Sequence, residues 1–221
     1  MIGGYNMSLV IAVATDTFLL FGADTRGQIS QITSETQNKL IKLNKNIIFG
    51  CTGGILDNFK FFDGFCYYSS KYGLLKSEIS FDNLSYNEFI DIMTERFSSF
   101  YNEHLDKNNP ITYDIGCIIG GHNGEKFELT VFSIGSKYNQ DGIYKFHKPA
   151  NFPYRGVAMG FAEHINKLNE GVYVICHQFA NPNILQYKNV LKDVFDNGIK
   201  IDNTINNNVR FEKIKLKDVI F

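Results

Sequence analysis

A small hydroxyl side chain and a carboxylate stand at the two open ends of the first predicted hairpin. The apolar runs Leu9–Ala14 and Phe18–Ala23 flank a short polar stretch, a pattern typical of two adjacent buried strands. Ser8 precedes the first run, and Asp24 and Arg26 follow the second. The two ends of an antiparallel pair lie side by side. The hairpin is therefore predicted to bring a hydroxyl group close to a carboxylate and a guanidinium.

A serine hydroxyl is a useful nucleophile only when a base lies within hydrogen-bond reach. The five histidines are scattered, and none is paired with a nucleophile signature: His104, His122, His147, His164 and His177. A chain can instead supply the base from its own α-amino group, provided that the nucleophile is the first residue, because a free amine has a pKa of about 7.7–8.0. This chemistry would require Ser8 to become N-terminal.

The order of these residues resembles that of the proteasome family of N-terminal-nucleophile (Ntn) hydrolases, which includes archaeal and eukaryotic β-subunits and the bacterial HslV type. In that family a Thr or Ser opens the first strand and an Asp-x-Arg closes the second, sixteen residues later, as Ser8 and Asp24 do here. A Lys begins the third strand, matched by Lys39, and a Gly follows the fourth, matched by Gly53. Two further segments look like the family's central hairpin, Asp114–Gly121 and Leu129–Ile134.

The resemblance implies a role for each matched residue. Ser8 would be the nucleophile and, through its freed amine, the base. Asp24 would orient Lys39, whose positive charge would lower the proton affinity of the amine. Arg26 would be structural, and the backbone N–H at Gly53 would supply the oxyanion hole. Simpler alternatives stay open for all of them: a plain strand-start Ser8, a structural Asp24–Arg26 ion pair, a solvated Lys39 and a tight strand-to-helix junction at Gly53-Gly54.

Three positions depart from the family pattern. The Ser of the family's Ser-Gly pair before the third helix is replaced by Met159, although Gly160 is kept. The Asp-x-x-Ser after the fourth helix matches Asp202, with Ile205 in the place of the Ser. Met7 stands where a Gly normally precedes the nucleophile. Gly160 and Asp202 are thus the residues left to support the terminal amine.

Composition limits the remaining classes of function. The 221 residues, 44% of them hydrophobic, can bury one core, so residues 8–221 are predicted to form a single domain. A net charge of −1 gives no electrostatic reason to expect nucleic acid or an anionic membrane as a partner. No stretch approaches the roughly 18 apolar residues of a membrane helix, and the N-terminus has no basic residue of the kind that opens a signal peptide. We therefore expect a cytoplasmic protein.

The four cysteines lie in apolar surroundings without metal-site spacing: Cys51, Cys66, Cys117 and Cys176. Buried reduced thiols are the expected state, ahead of a disulfide or zinc set. Neither a cofactor nor a metal is predicted.

Strands and helices alternate in blocks along the chain. Further strands are predicted over Lys39–Leu43, Asn46–Cys51, Tyr113–Gly120, Lys126–Ile134, Gly142–Phe146, Arg155–Met159 and from Val209 to Leu216, with a turn at His122–Gly124 and a loop over Gly27–Asn38. Helices are predicted over Gly54–Tyr72, from the capping box at Ser85 to Leu105, from Gly160, and over Ile184–Phe195 with an end at Asn197-Gly198. Gly171–Phe179 fits either a helix or a strand. The order predicts two antiparallel sheets between helix layers, the four-layer αββα sandwich that the resemblance also implies.

The resemblance predicts a peptidase or amide hydrolase, with a polypeptide or amide substrate, a homo-oligomeric ring and an ATP-dependent unfoldase as partner. Two alternatives are a catalytically inactive subunit with a role in assembly and an Ntn hydrolase of small amides. The catalytic hypothesis needs residues 1–7 to be removed, either as a leader or because residues 1–6 are an artefact of start-codon assignment. In the second case the protein begins at Met7, and initiator Met is readily removed before Ser8.

Overall fold

The computed structural model describes residues 9–29, 32–34, 39–53, 83–105, 115–134, 142–147, 154–159, 162–202 and 205–219. Its strands are β1 (Val10–Ala14), β2 (Phe18–Asp24), β3 (Gly27–Ile29), β4 (Ile32–Ser34), β5 (Leu40–Lys42), β6 (Ile47–Gly53), β7 (Ile115–His122), β8 (Phe127–Ile134), β9 (Gly142–His147), β10 (Arg155–Met159) and β11 (Val209–Lys215). Its helices are α1 (Tyr86–Leu105), α2 (Ala162–Gln178) and α3 (Ile184–Ile201), with a short 3-10 turn at Leu216–Asp218.

The strands form two main antiparallel sheets. The first sheet has the order β10-β1-β2-β11, and the second has the order β5-β6-β7-β8-β9. Apolar side chains fill the space between the sheets, among them Val10, Phe21, Ile48, Ile118 and Leu129. The predicted pair of packed sheets is confirmed.

Helices cover the outer faces of both sheets. On the first sheet, Leu20 packs with Leu191 and Phe195 of α3. On the second sheet, Phe132 packs with Phe89 and Phe97 of α1. The described chain therefore has the layer order helix, sheet, sheet, helix, as predicted. No helix within the described ranges is long and apolar enough to cross a membrane.

The turn between β1 and β2 is stabilised by the side chain of Thr15. The Thr15 hydroxyl accepts hydrogen bonds from the N–H groups of Thr17 and Phe18, at 3.3 and 3.1 Å, and donates to the Phe18 carbonyl at 3.1 Å. All of β1 and β2 is buried. The tight turn fixes the register of the pair, in which Val10 lies opposite Ala23. The start of β1 and the end of β2 are thereby neighbours, as the sequence predicts.

The predicted start of α1 is also confirmed. The Ser85 hydroxyl accepts from the Glu88 N–H at 3.3 Å, and the Glu88 carboxylate accepts from the Ser85 N–H at 2.9 Å. This reciprocal pair satisfies two backbone donors that a helix start otherwise leaves without partners.

Two predictions of local structure are wrong. The segment Gly27–Asn38, predicted as loop, contains the antiparallel pair β3–β4, because ladder bonds are made by the backbone and need no apolar side chains. Helix α3 does not end at Asn197-Gly198 but continues to Ile201. Gly198 is buried there, and a Cβ at this position would lie 3.2–3.4 Å from His164, Leu9 and Ile205. Close tertiary packing thus outweighs the low helix propensity of glycine.

The residues between Gly171 and Gln178, which fitted either a helix or a strand, belong to α2. The predicted helix over Gly54–Tyr72 lies outside the described residues, as do Ser8, Gly160 and the segment before Ser8.

Candidate active site

A buried ion pair joins the two sheets at the open end of the first hairpin. Asp24 is the last residue of β2 in the first sheet, and Lys39 directly precedes β5 in the second. The Lys39 Nζ lies 2.8 Å from Asp24 Oδ1, and the two side chains are 5% and 0% exposed. A solvated Lys39 at the start of a strand, one of the simpler alternatives, does not describe this side chain.

The Asp24 carboxylate is held by two backbone donors in addition to Lys39. Oδ1 accepts from the Leu9 N–H at 2.8 Å, and Oδ2 accepts from the Arg26 N–H at 3.1 Å. The Leu9 carbonyl in turn accepts from the Asp24 N–H at 3.2 Å. Leu9 is the residue that follows Ser8, so the carboxylate is bonded to the amide that links Ser8 to the rest of the chain.

Burial and pairing act in opposite directions on these two charges. Burial lowers the pKa of the Lys39 ammonium, and the attraction and hydrogen bond of Asp24 partly offset this. Burial likewise raises the pKa of Asp24, against the lowering effects of Lys39 and of the two N–H donors. Lys39 therefore releases a proton more readily than an exposed lysine does.

Arg26 contributes to the hydrogen bonding of Asp24 through its backbone. Its N–H binds Asp24, while its side chain is half-buried and its charge also lowers the pKa of Lys39. The carboxylate of Asp24 is thus bonded both to the Arg26 N–H and to the ammonium of Lys39.

The strand that carries Gly53 is fixed directly to Lys39. The Cys51 N–H of β6 donates to the Lys39 carbonyl at 3.0 Å, and Gly53 ends the same strand, opposite Ile115 of β7. Cys51 also interacts electrostatically with the Lys39 ammonium. Sequence reasoning did not place Cys51 here, since this position depends on the β5–β6 register.

Asp202 lies at the end of α3, where its backbone N–H donates to the Gly198 carbonyl at 2.8 Å. Four residues later, Asn206 reaches the hairpin: its Oδ1 accepts from the Thr25 N–H at 3.1 Å, and its Nδ2 donates to the Thr25 hydroxyl at 3.2 Å. Both Asn206 and Thr25 are buried. The bond holds the residue directly after Asp24. No signal in the sequence could have found it, because the partners are 181 residues apart.

Replacing Asn206 by Ala should lower the free energy of unfolding by about 1–3 kcal/mol, because the buried Thr25 N–H loses this acceptor. Asn207→Ala is the matched control, since Asn207 is exposed, and its effect should stay within about 0.5 kcal/mol. Urea denaturation of both variants measures the difference. Equal stability of the two variants would contradict a structural role for the Asn206–Thr25 bond.

The comparison with known families decides the relationship. The sequence profile of the family described as "Proteasome subunit" matches residues 7–141, more than half of the chain. The chain belongs to the proteasome subunit family. The membership of this family that Ser8, Asp24, Lys39 and Gly53 predicted is thereby confirmed.

A solved structure supports the same proteasome-like fold. The crystal structure of eukaryotic HslV from Trypanosoma brucei is similar with a TM-score of 0.55 and 13% sequence identity. The similarity covers 94% of this chain and 99% of that one. At this identity it establishes the Ntn sandwich as the fold and nothing finer. A search among curated protein sequences finds no match.

Proposed function

We propose that this proteasome-family chain hydrolyses amide bonds, with Ser8 as the nucleophile once residues 1–7 have been removed. One observation carries the proposal most directly. The buried Asp24–Lys39 pair is bonded to the amide N–H of Leu9, the residue directly after Ser8. The family match also begins at residue 7, so it leaves out nearly all of the segment that would have to be removed.

The roles follow from charge and position. The freed amine of Ser8 takes the proton of its own hydroxyl, the oxygen attacks the amide carbon, and an ester forms as the leaving amine takes the proton. Water then hydrolyses the ester. The Lys39 charge keeps the Ser8 amine unprotonated, and Asp24 holds Lys39 in position. The Gly53 N–H stabilises the oxyanion, and Gly160 and Asp202 support the amine. Arg26 has a structural role, and no cofactor is needed.

The substrate in this proposal is a polypeptide. Its entry is controlled by a homo-oligomeric ring and an ATP-dependent unfoldase, and both follow from the family resemblance. The replacement of two supporting Ser residues, by Met159 and Ile205, favours one alternative: a catalytically inactive subunit that is retained for assembly. Hydrolysis of a small amide in place of a polypeptide is the remaining alternative.

The experiment uses protein whose first residue is Ser8, prepared by cutting a fusion directly before it. This form should hydrolyse a panel of fluorogenic peptide amides. Ser8→Ala should reduce the rate to background, because the nucleophilic oxygen is lost, whereas Ser8→Thr should keep measurable activity, because the hydroxyl and the terminal amine both remain. Equal rates for the unsubstituted form and the Ser8→Ala variant would refute Ser8 as the nucleophile.

A further inference from the structure

Two cysteines face each other on the adjacent strands β6 and β7, and one of them is hydrogen-bonded to Lys39. Cys51 of β6 lies directly opposite Cys117 of β7. Both side chains are on the face that packs against α1: Cys117 belongs to that core, and Cys51 packs against it. All three described cysteines, these two and Cys176, are thiols.

The hydrogen-bond pattern shows which kind of cross-strand pair this is. The His122 N–H donates to the Asn46 carbonyl, and hydrogen-bonded pairs alternate along an antiparallel ladder, so Cys51 and Cys117 occupy a non-hydrogen-bonded pair. The Cys51 N–H is consistent with this assignment, because it points away from β7 and donates to the Lys39 carbonyl on the other side of β6. Directly opposed residues of this kind have Cα atoms about 4.5 Å apart, within the roughly 4.4–6.8 Å that a disulfide spans.

The two thiols differ in their surroundings. Cys51 is partly exposed, and its N–H is bonded to the Lys39 carbonyl of the neighbouring segment. Cys117 is completely buried, and burial raises the pKa of its thiol. Cys51 is therefore suited to react first with an oxidant from solvent, and Cys117 to react second.

We propose that Cys51 and Cys117 form a reversible disulfide when the protein meets a hydroperoxide. The Cys51 thiolate attacks the peroxide oxygen, breaks the O–O bond and becomes a sulfenic acid, with release of an alcohol or water. The Cys117 sulfur then attacks the Cys51 sulfur and displaces hydroxide, which leaves as water with the Cys117 proton. Two thiols lose two electrons, and the hydroperoxide gains them. A thiol reductant reverses the reaction.

The disulfide would act on the candidate site through Lys39. Directly opposed Cβ atoms are about 4.5–5.5 Å apart, whereas a disulfide holds them at about 3.8 Å, so oxidation draws β6 towards β7. Because the Cys51 N–H is hydrogen-bonded to the Lys39 carbonyl, this movement of β6 also displaces Lys39. Displacing a catalytic group by about 1 Å can cost about 100-fold in rate. This consequence rests on the proposed function, whereas formation of the bond does not.

The test is peptide mapping of the folded protein after treatment with hydrogen peroxide and alkylation of the remaining thiols. We expect one linked pair of peptides, carrying Cys51 and Cys117, that is lighter than the reduced pair by two hydrogen atoms and disappears with dithiothreitol. Cys117→Ser should abolish the link, and Cys176→Ser should leave it unchanged. A link from Cys51 to Cys66, or oxidation of Cys51 without any link in the wild-type chain, would overturn the proposal.

Activity is measured in parallel on the form that begins at Ser8. Oxidation should lower its rate of hydrolysis at least ten-fold, and dithiothreitol should restore it, while Cys117→Ser should stay active under the same treatment. A form that is inactive before oxidation counts against the proposed function alone, because the mapping still reports on the disulfide. A link that forms without any change in rate would overturn the effect on Lys39.

Discussion

Replacing Lys39 by Met should abolish amide hydrolysis and lower the free energy of unfolding by about 3–5 kcal/mol. The substitution leaves the Asp24 carboxylate, 0% exposed, without the ammonium that lies 2.8 Å from it. Met keeps most of the length and apolar volume of the lysine side chain, so the loss comes from charge. Chemical denaturation measures the stability, and the form that begins at Ser8 reports the rate.

A second substitution separates stability from activity. In Asp24→Asn/Lys39→Met the buried charge is removed together with its partner. The Asn oxygen can still accept from the Leu9 N–H, and the loss is limited to the bond from the half-buried Arg26. The double variant should therefore recover most of the lost stability, because replacing a whole buried pair is often close to neutral. It should recover none of the activity, because the proposed role of Lys39 is electrostatic.

Lys42→Met is the matched control for charge and residue type. Lys42 lies three residues further on, is exposed, and donates to the Lys213 carbonyl at 3.3 Å. Its loss should change stability by no more than about 0.5 kcal/mol and leave the rate unchanged. Undiminished hydrolysis by Lys39→Met would rule out a catalytic role for Lys39, whatever its effect on stability.

The hairpin could be predicted from the sequence because its signals are local. Two continuous apolar runs and a polar turn define β1 and β2, and antiparallel pairing then places the end of β2 beside the start of β1. The hydrogen bond from the Leu9 N–H to the Asp24 carboxylate joins these two ends of the hairpin. The sandwich could be predicted for a related reason, since blocks of strands and helices must bury their apolar faces against one another.

The contacts between parts of the chain that are distant in sequence could not be predicted in this way. From residue types alone, Asp24 had Arg26 as its nearest cationic partner in sequence, and only the family resemblance pointed to Lys39. The Thr25–Asn206 bond and the facing of Cys51 and Cys117 depend on packing and register, which side-chain composition leaves undetermined. The expectation of buried thiols fits Cys117, whereas Cys51 and Cys176 are only partly buried, and it did not include a second thiol opposite Cys117.

Retaining residues 1–7 should lower the rate of hydrolysis by about 10²–10⁴-fold, the usual contribution of a positioned general base. With Met7 attached, the nitrogen of Ser8 is part of an amide and cannot accept the proton of the hydroxyl. A site-specific protease sequence placed directly before Ser8 gives the matched comparison, because one preparation is assayed before and after cleavage. Ser8→Ala, cleaved in the same way, should show no gain.

The natural state of the N-terminus decides whether this chemistry operates in the cell. Mass spectrometry of protein expressed from its native gene should find Ser8 as the first residue, whether translation starts at Met7 or a leader is cut off. A Met1 or Ile2 terminus on most of the protein would leave Ser8 blocked. The inactive subunit would then be the better description, because the Asp24–Lys39 pair joins the two sheets of the sandwich whether or not catalysis occurs.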